Sequence, residues 1–296
     1  MQSIVLSKKG MDSRAGKMYS PVDSETGEYV FLPIPDSRRR WDNKISPEVE
    51  YAQLPTRFLK FKNLKEILSI RNKLPVGPAH LDPDLVNIRP EIKTWRPAFG
   101  QEGSAQGYLR NLGIGEDVKG VIFLFYSRFK PWGRKKTNFL EGYYIFGWLE
   151  VDYTLIPDHQ PHPLNYHPHF QPHHREDKNN IIYVASNKLT GTNIPGAGLF
   201  NRLSKNVRLS YYNTGNLRIM LLPSSALNGF SFLQNYQQLN EKYCLAEWPA
   251  TYGQEAVFPN LAADKSEKDK RDVREWAIKI IEEGIQFGGG LKKEYL

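Results

Sequence analysis

The chain has 296 residues, with 40 Lys and Arg against 32 Asp and Glu, a net charge of +8 and a pI near 9.3. That length buries a core without staples, and the single cysteine, Cys244, excludes an internal disulfide framework and suits a reducing compartment. No apolar run approaches the roughly 18 residues of a membrane span, and MQSIVLSKKGMDS is not signal-like, so a cytoplasmic protein with no membrane partner is expected.

In chain order, Ile4–Leu6 reads as a strand and Ser7–Tyr19 as a polar loop. Tyr29–Pro35 is extended and ends at its prolines. Asn63 caps a short helix whose apolar face is Leu64, Ile67 and Leu68. A proline-rich loop, Pro75–Pro90, precedes a helix that Ser104 starts and that runs to about Asn111. Val121–Tyr126 and Tyr143–Val151 are short apolar runs rich in aromatic and β-branched residues, bounded by turn formers. They read as paired, buried strands, the way small closed barrels of nucleic-acid-reading domains are written.

Pro157–Asn180 then breaks regularity. Ile181–Ala185, Val207–Tyr212 and Leu217–Leu222 read as strands, and Phe232–Leu239 as a helix. From about Ser266, Val273, Trp276, Ala277, Ile280 and Ile281 recur at helical spacing up to Gly284, a natural C-terminal stop. The expected fold is α+β, a small β-barrel core with helical and long-loop elaborations. It forms one elaborated domain over 1–296, with an extension at 1–62, the barrel at about 95–260 and the last helix at about 266–284.

The positive charge favours a polyanionic partner. Asp264–Glu275 is balanced, so the excess sits at Arg38–Arg40 and Arg128–Lys136. Tyr126–Lys136 carries five cations and three aromatics in eleven residues. Arg128, Lys130, Arg134, Lys135 and Lys136 suit phosphates and Trp132 suits base stacking; the plain alternative is an exposed hairpin loop with Trp132 tucked beneath it. Lys8, Lys9 and Ser13 suit phosphate or sugar contact, while Asp12 equally suits an Asx turn. Gln101 and Gln106 flank a short helix start, and the amides of Gln101 and Gln254 suit the edge of a flipped base.

For chemistry, His80, Asp82 and Asp84 lie in HLDPD, where an extended backbone places all three on one side; an Asp-Pro-Asp turn is the simpler reading. Such a set suits a divalent ion or a general base oriented by a carboxylate. Six of the seven histidines fall between His159 and His174. Their HPH spacing fits no standard zinc pattern, so the segment reads as a surface loop closing over a pocket, with His167 and His169 expected to act as acid–base groups or base contacts rather than to hold a metal. Glu255, beside Gln254, is a further acid–base candidate, or simply strand-edge polarity. The candidate reactive groups are thus His80, Asp82, Asp84, His169 and Glu255, and no pattern names a cofactor. PGAGLF offers only a G-x-G, no G-x-S-x-G occurs, and one cysteine excludes a C-x-x-C deaminase site.

Several blocks, in order and over nearly the whole chain, resemble the nucleotide modification associated domain 3 family. They are IVLSKKGMDSRAGKMYSP with FLPIPD, HLDPD, FGQEGSAQGYL, IFGWLEV, HPHF, NNIIYVAS, PGAGLF and GQEAVF. Within the histidine-rich segment, His167 and His169 match the family block, while His173 and His174 read as a variable tip. The chain departs from the family pattern at Tyr126-Ser127, where a Gly-Trp-like pair is expected. The central segment from Gly100 to Asp158 is also similar to EVE and PUA-like barrels. Both likenesses imply a protein that modifies a nucleic-acid base, in DNA or tRNA and with other base-modification enzymes as partners, or else a non-catalytic reader of modified nucleic acid or an accessory subunit.

Overall fold

The computed structural model describes residues 3–287 except 12–15, 17, 38–39, 46, 57, 59, 73, 134–138, 140, 159, 161, 215–216, 222–254 and 259–266. Its strands are β1 (Ile4–Lys8), β2 (Ser20–Val22), β3 (Ala98–Gln101), β4 (Ile122–Pro131), β5 (Gly142–Leu155), β6 (Ile181–Ala185), β7 (Ala197–Leu199), β8 (Arg208–Thr214), β9 (Leu217–Leu221) and β10 (Glu255–Phe258). Helices α1 (Leu64–Ile70), α2 (Gly103–Asn111), α3 (Pro172–Arg175) and α4 (Glu267–Phe287) accompany them.

Ten strands among the described residues form one mixed sheet, along the path β10-β1-β4-β5-β6-β3. β1 runs parallel to β4 and antiparallel to β10, and β4 and β5 are antiparallel. The apolar run of β4 is buried on both faces, which is why it reads as continuous rather than alternating. Gly147, in mid-β5, has no room for a side chain, because Gly198 O and the side chains of Leu199 and Leu85 approach within 3.0 Å of where a Cβ would stand.

β5 serves two sets of neighbours. Its first part pairs with β4, β7 and β8, and after an irregularity at Val151–Tyr153 it pairs with β6. The sheet therefore curls, and Phe99 of β3 meets Tyr183, Phe123 and Phe125 at ring distances of 5.0, 4.6 and 5.1 Å. The expected closed PUA/EVE-like barrel is not what the described strands form. β3 and β10, at the two ends of the path, do not pair with each other, and aromatic side chains rather than a hydrogen-bonded ladder fill the interior between β3 and β4.

Local signals translate directly. Asn63 accepts a hydrogen bond from Glu66 N at 3.2 Å and caps α1. Val273, Trp276, Ala277, Ile280 and Ile281 of α4 are all buried against the core of the sheet. Other boundaries move: Glu102, not Ser104, caps α2, and Tyr29–Pro35 makes isolated bridges at Tyr29 and Pro35 instead of a strand. The expected helix at 232–239 lies outside the described residues.

Two smaller cores position the loops. Met11, Leu32, Tyr51, Leu54, Phe58, Ile67 and Leu68 gather the N-terminal loops around α1. Ala98, Leu164, Tyr166, Phe170, Ile182 and Val184 seat the segment 162–175 on the face of β3 and β6. That irregular segment holds a single 3-10 turn, Pro168–Phe170, followed by the single-turn α3. Among the described residues, no helix is long and apolar enough to cross a membrane.

Candidate functional site

Four loop segments and the end of β3 deliver ionisable groups to one place. The HLDPD segment lies along the open edge of β3: Asp84 and Ala98 exchange backbone hydrogen bonds, and Asp82 Oδ1 accepts from Gly100 N at 2.6 Å. Lys9, one residue beyond β1, donates from Nζ to Asp82 Oδ2 at 3.0 Å, Gly100 O at 3.2 Å and Gln101 Oε1 at 3.1 Å. Burial alone would raise the Asp82 carboxyl, but the Lys9 charge and the facing imidazoles outweigh it and hold Asp82 ionised, below the usual carboxylate range.

The histidines complete the cluster. His80 lies 5.2 Å from His169 and 5.0 Å from His174 between ring centroids, and His169 stacks on His174 at 4.9 Å. Asp36 is the hub behind them, accepting from His80 Nδ1 at 2.9 Å, His173 Nε2 at 2.8 Å and His174 Nε2 at 3.1 Å. Burial works against ionisation of Asp36 too, yet the hydrogen bonds from His174 and His80 prevail and keep it a carboxylate. His174 also reaches Glu102 Oε2 from Nδ1 at 2.7 Å. Burial disfavours its charge, but two carboxylate acceptors raise His174 to about 9, an imidazolium at neutral pH.

His169 is held differently. Asn180 Nδ2 donates to His169 O at 2.9 Å, which fixes the amide, so Asn180 Oδ1 must accept from His169 Nδ1, 2.7 Å away. Burial drives its pKa down to about 3, and the neutral ring keeps its lone pair on Nε2. His167 Nδ1 accepts from His169 N, which leaves the proton on Nε2. That atom is buried, makes no hydrogen bond, and points at Asp82 Oδ1 from 3.7 Å.

Three overlapping sets have ligand atoms within 4.8 Å of one another: Asp36, His80 and His174; His80, Asp82 and His169; Glu102, His169 and His174. The arrangement can therefore move protons between neutral and charged imidazoles, or present imidazole nitrogens and carboxylates to a cation.

The expected site residues divide. His80, Asp82, His169, Lys9 and Gln101 converge. Asp84 leaves the set, because its carboxylate is held by Arg89 Nη2 at 2.8 Å; burial nevertheless pushes it up to about 6. Asp84 lines a cavity of about 590 Å³ with Leu81, Pro83, Tyr29, Phe31 and Phe58, and neither His80 nor Asp82 is among its lining residues.

Gln106 is fully buried and occupied, bonding Ile114 O and accepting from Tyr183 OH. Trp132 is half-buried and packs edge-on against Phe58 and Phe61 with Arg71 over its ring. Arg128 and Lys130 pair with Glu141, and Lys8 lies over the Tyr143 ring. Glu255 stands opposite Ser7 in the β1–β10 ladder, which settles its backbone alone. Asp12, Ser13, Arg134, Lys135, Lys136 and Gln254 lie outside the described residues.

Asp36, Glu102, His174 and Asn180 are not among the expected site residues. A signal for three of them is present, since Asp36 ends FLPIPD, Glu102 sits in FGQEGS and Asn180 in NNIIYVAS. His174 carries no such signal, because it falls outside the HPHF block and reads as part of a variable tip.

The described residues thus form an open mixed sheet that holds a buried cluster of histidines, carboxylates and one lysine at its edge. The chain belongs to the nucleotide modification associated domain 3 (Nmad3) family, whose model matches residues 3–259. That span includes every residue of the cluster and ends before α4. No curated protein and no solved structure matches the chain.

Proposed function

We propose that this protein is an enzyme that modifies a base in nucleic acid, with DNA as the first substrate to test and tRNA as the second. The observation that carries the reading is the convergence of His80, Asp82, His169 and Lys9 at the edge of β3. Burying several ionisable groups costs stability unless each is paired, and this fold supplies a partner for almost all of them from distant segments. Membership of a nucleotide modification associated family supports a nucleic-acid substrate. The base would enter flipped or single-stranded, because buried groups cannot reach into a stacked duplex.

His174, as an imidazolium, is suited to stabilise negative charge that develops beside it. The basic segment from Arg128 to Lys136 would hold the phosphate backbone, and other base-modification enzymes would supply or consume the product.

The test separates an enzyme from a reader of modified bases. Asp82→Asn and His169→Gln should abolish modification in cells while the purified variants keep their affinity for a modified oligonucleotide. Affinity that falls in step with modification would make the protein a reader.

A further inference from the structure

We infer that His80, Asp82 and His169 form a binding site for one divalent transition-metal ion, coordinated by the Nε2 atoms of both histidines and a carboxylate oxygen of Asp82. One ligand atom from each lies within 4.8 Å of the others. The other two sets of this kind explain themselves without an ion, because each contains a direct imidazole–carboxylate hydrogen bond: His80 and His174 to Asp36, and His174 to Glu102. No such bond joins the members of this trio to one another.

The tautomers point the same way. His80 Nδ1 faces the Asp36 carboxylate at 2.9 Å and His169 Nδ1 faces Asn180 Oδ1 at 2.7 Å, and both partners are acceptors there. With Nδ1 donating to these acceptors, Nε2 is the nitrogen of each ring left to bind an ion. An acceptor behind the far nitrogen is the usual support of a metal-binding histidine, fixing its tautomer and orientation. Gly100 allows the approach, because any side chain there would run into the ring of His169.

His167 is not a further ligand, because its Nδ1 accepts from His169 N and its Nε2 therefore carries the proton, 3.7 Å from Asp82 Oδ1. Two imidazoles and a carboxylate suit zinc, manganese, iron or cobalt rather than calcium or magnesium, and three protein ligands leave positions open for water or a substrate oxygen or nitrogen.

This inference stands on side-chain geometry and does not require that a nucleic-acid base be the substrate. Full-length, untagged protein should carry close to one transition-metal ion per chain by elemental analysis. After chelation, titration with Co²⁺ alone should give a saturable visible absorption band at a single equivalent. Asp82→Asn should weaken Co²⁺ binding at least 100-fold. Glu102→Gln, which alters only the neighbouring set, should keep one equivalent, and Asp36→Asn should keep the stoichiometry with affinity lowered about 10- to 100-fold. Wild-type protein of native circular dichroism that binds no Co²⁺, or Asp82→Asn that binds like the wild type, overturns the inference. Metal binding with unchanged cellular nucleosides would overturn the proposed function alone, and changed nucleosides with no metal would overturn this site alone.

Discussion

His80 and His169 face each other across 5.2 Å, and each is anchored from its far side, one by Asp36 and the other by Asn180. Neither ring is free to turn, so the space between them is set by four residues from three loops and the turn before β6. Asp82, pinned by Lys9 and by Gly100 N, forms the third wall. Such fixed side chains, supported by a second ring of partners, are what a reactive centre requires.

The first prediction concerns pH. His174 has a folded pKa of about 9, raised above its ordinary 6.5 by Asp36 and Glu102 against the effect of burial. The stabilisation is full below pH 6.5 and is lost as pH rises through 9. His169 acts in the opposite sense, because burial lowers it to about 3 and the unfolded chain binds a proton that the folded one refuses. Stability should therefore peak near pH 6.5 and fall by on the order of 3 kcal/mol by pH 9.5. Urea unfolding at both pH values measures it. Glu102→Gln should flatten the alkaline limb, and a wild-type curve level from pH 6.5 to 9.5 would show that His174 is not clamped.

A second prediction isolates geometry from chemistry. Gly100→Ala removes no reactive group, yet its methyl must displace the ring of His169. Misplacing a reacting group by about an ångström can cost on the order of 100-fold in rate. Modification should drop by at least that factor while the protein stays folded by circular dichroism. Unchanged activity would mean that the position of His169 is immaterial.

How far the chain can be read follows from range. The Asn63 cap, the stripe of α4 and the apolar run of β6 are signals written within a few residues, and they become elements with little change. The barrel does not, because closure depends on where β5 bends and on which strands lie at the sheet edges, neither of which a run of apolar residues encodes. HLDPD stands out as a candidate set, but alternation places Asp84 with His80 and Asp82, whereas Arg89 holds its carboxylate. The histidine loop fits no metal pattern within its own segment. Its partners, His80, Asp82, Asp36 and Glu102, come from distant parts of the chain, and only their occurrence in family-like blocks hints at a meeting point.

The third prediction separates Trp132 from its basic neighbours. Because Trp132 is packed against Phe58, Phe61 and Arg71, Trp132→Ala should destabilise the protein by about 2–3 kcal/mol and leave nucleic-acid affinity nearly unchanged. Alanine at Arg134, Lys135 and Lys136 should instead reduce the salt dependence of binding, by about 0.7–0.9 in slope for each phosphate that is no longer neutralised. Denaturant midpoints and binding isotherms at several salt concentrations give both quantities. Equal slopes in the triple variant and the parent would place the docking surface elsewhere.

That this cluster alters a nucleic-acid base is tested most directly by mass spectrometry of nucleosides. DNA and tRNA would be digested from cells carrying the gene, from cells lacking it, and from cells in which wild-type or Asp82→Asn protein is restored. The expected result is a nucleoside that disappears with the gene, returns with the wild-type protein and does not return with Asp82→Asn. Identical nucleoside profiles in all four would contradict it.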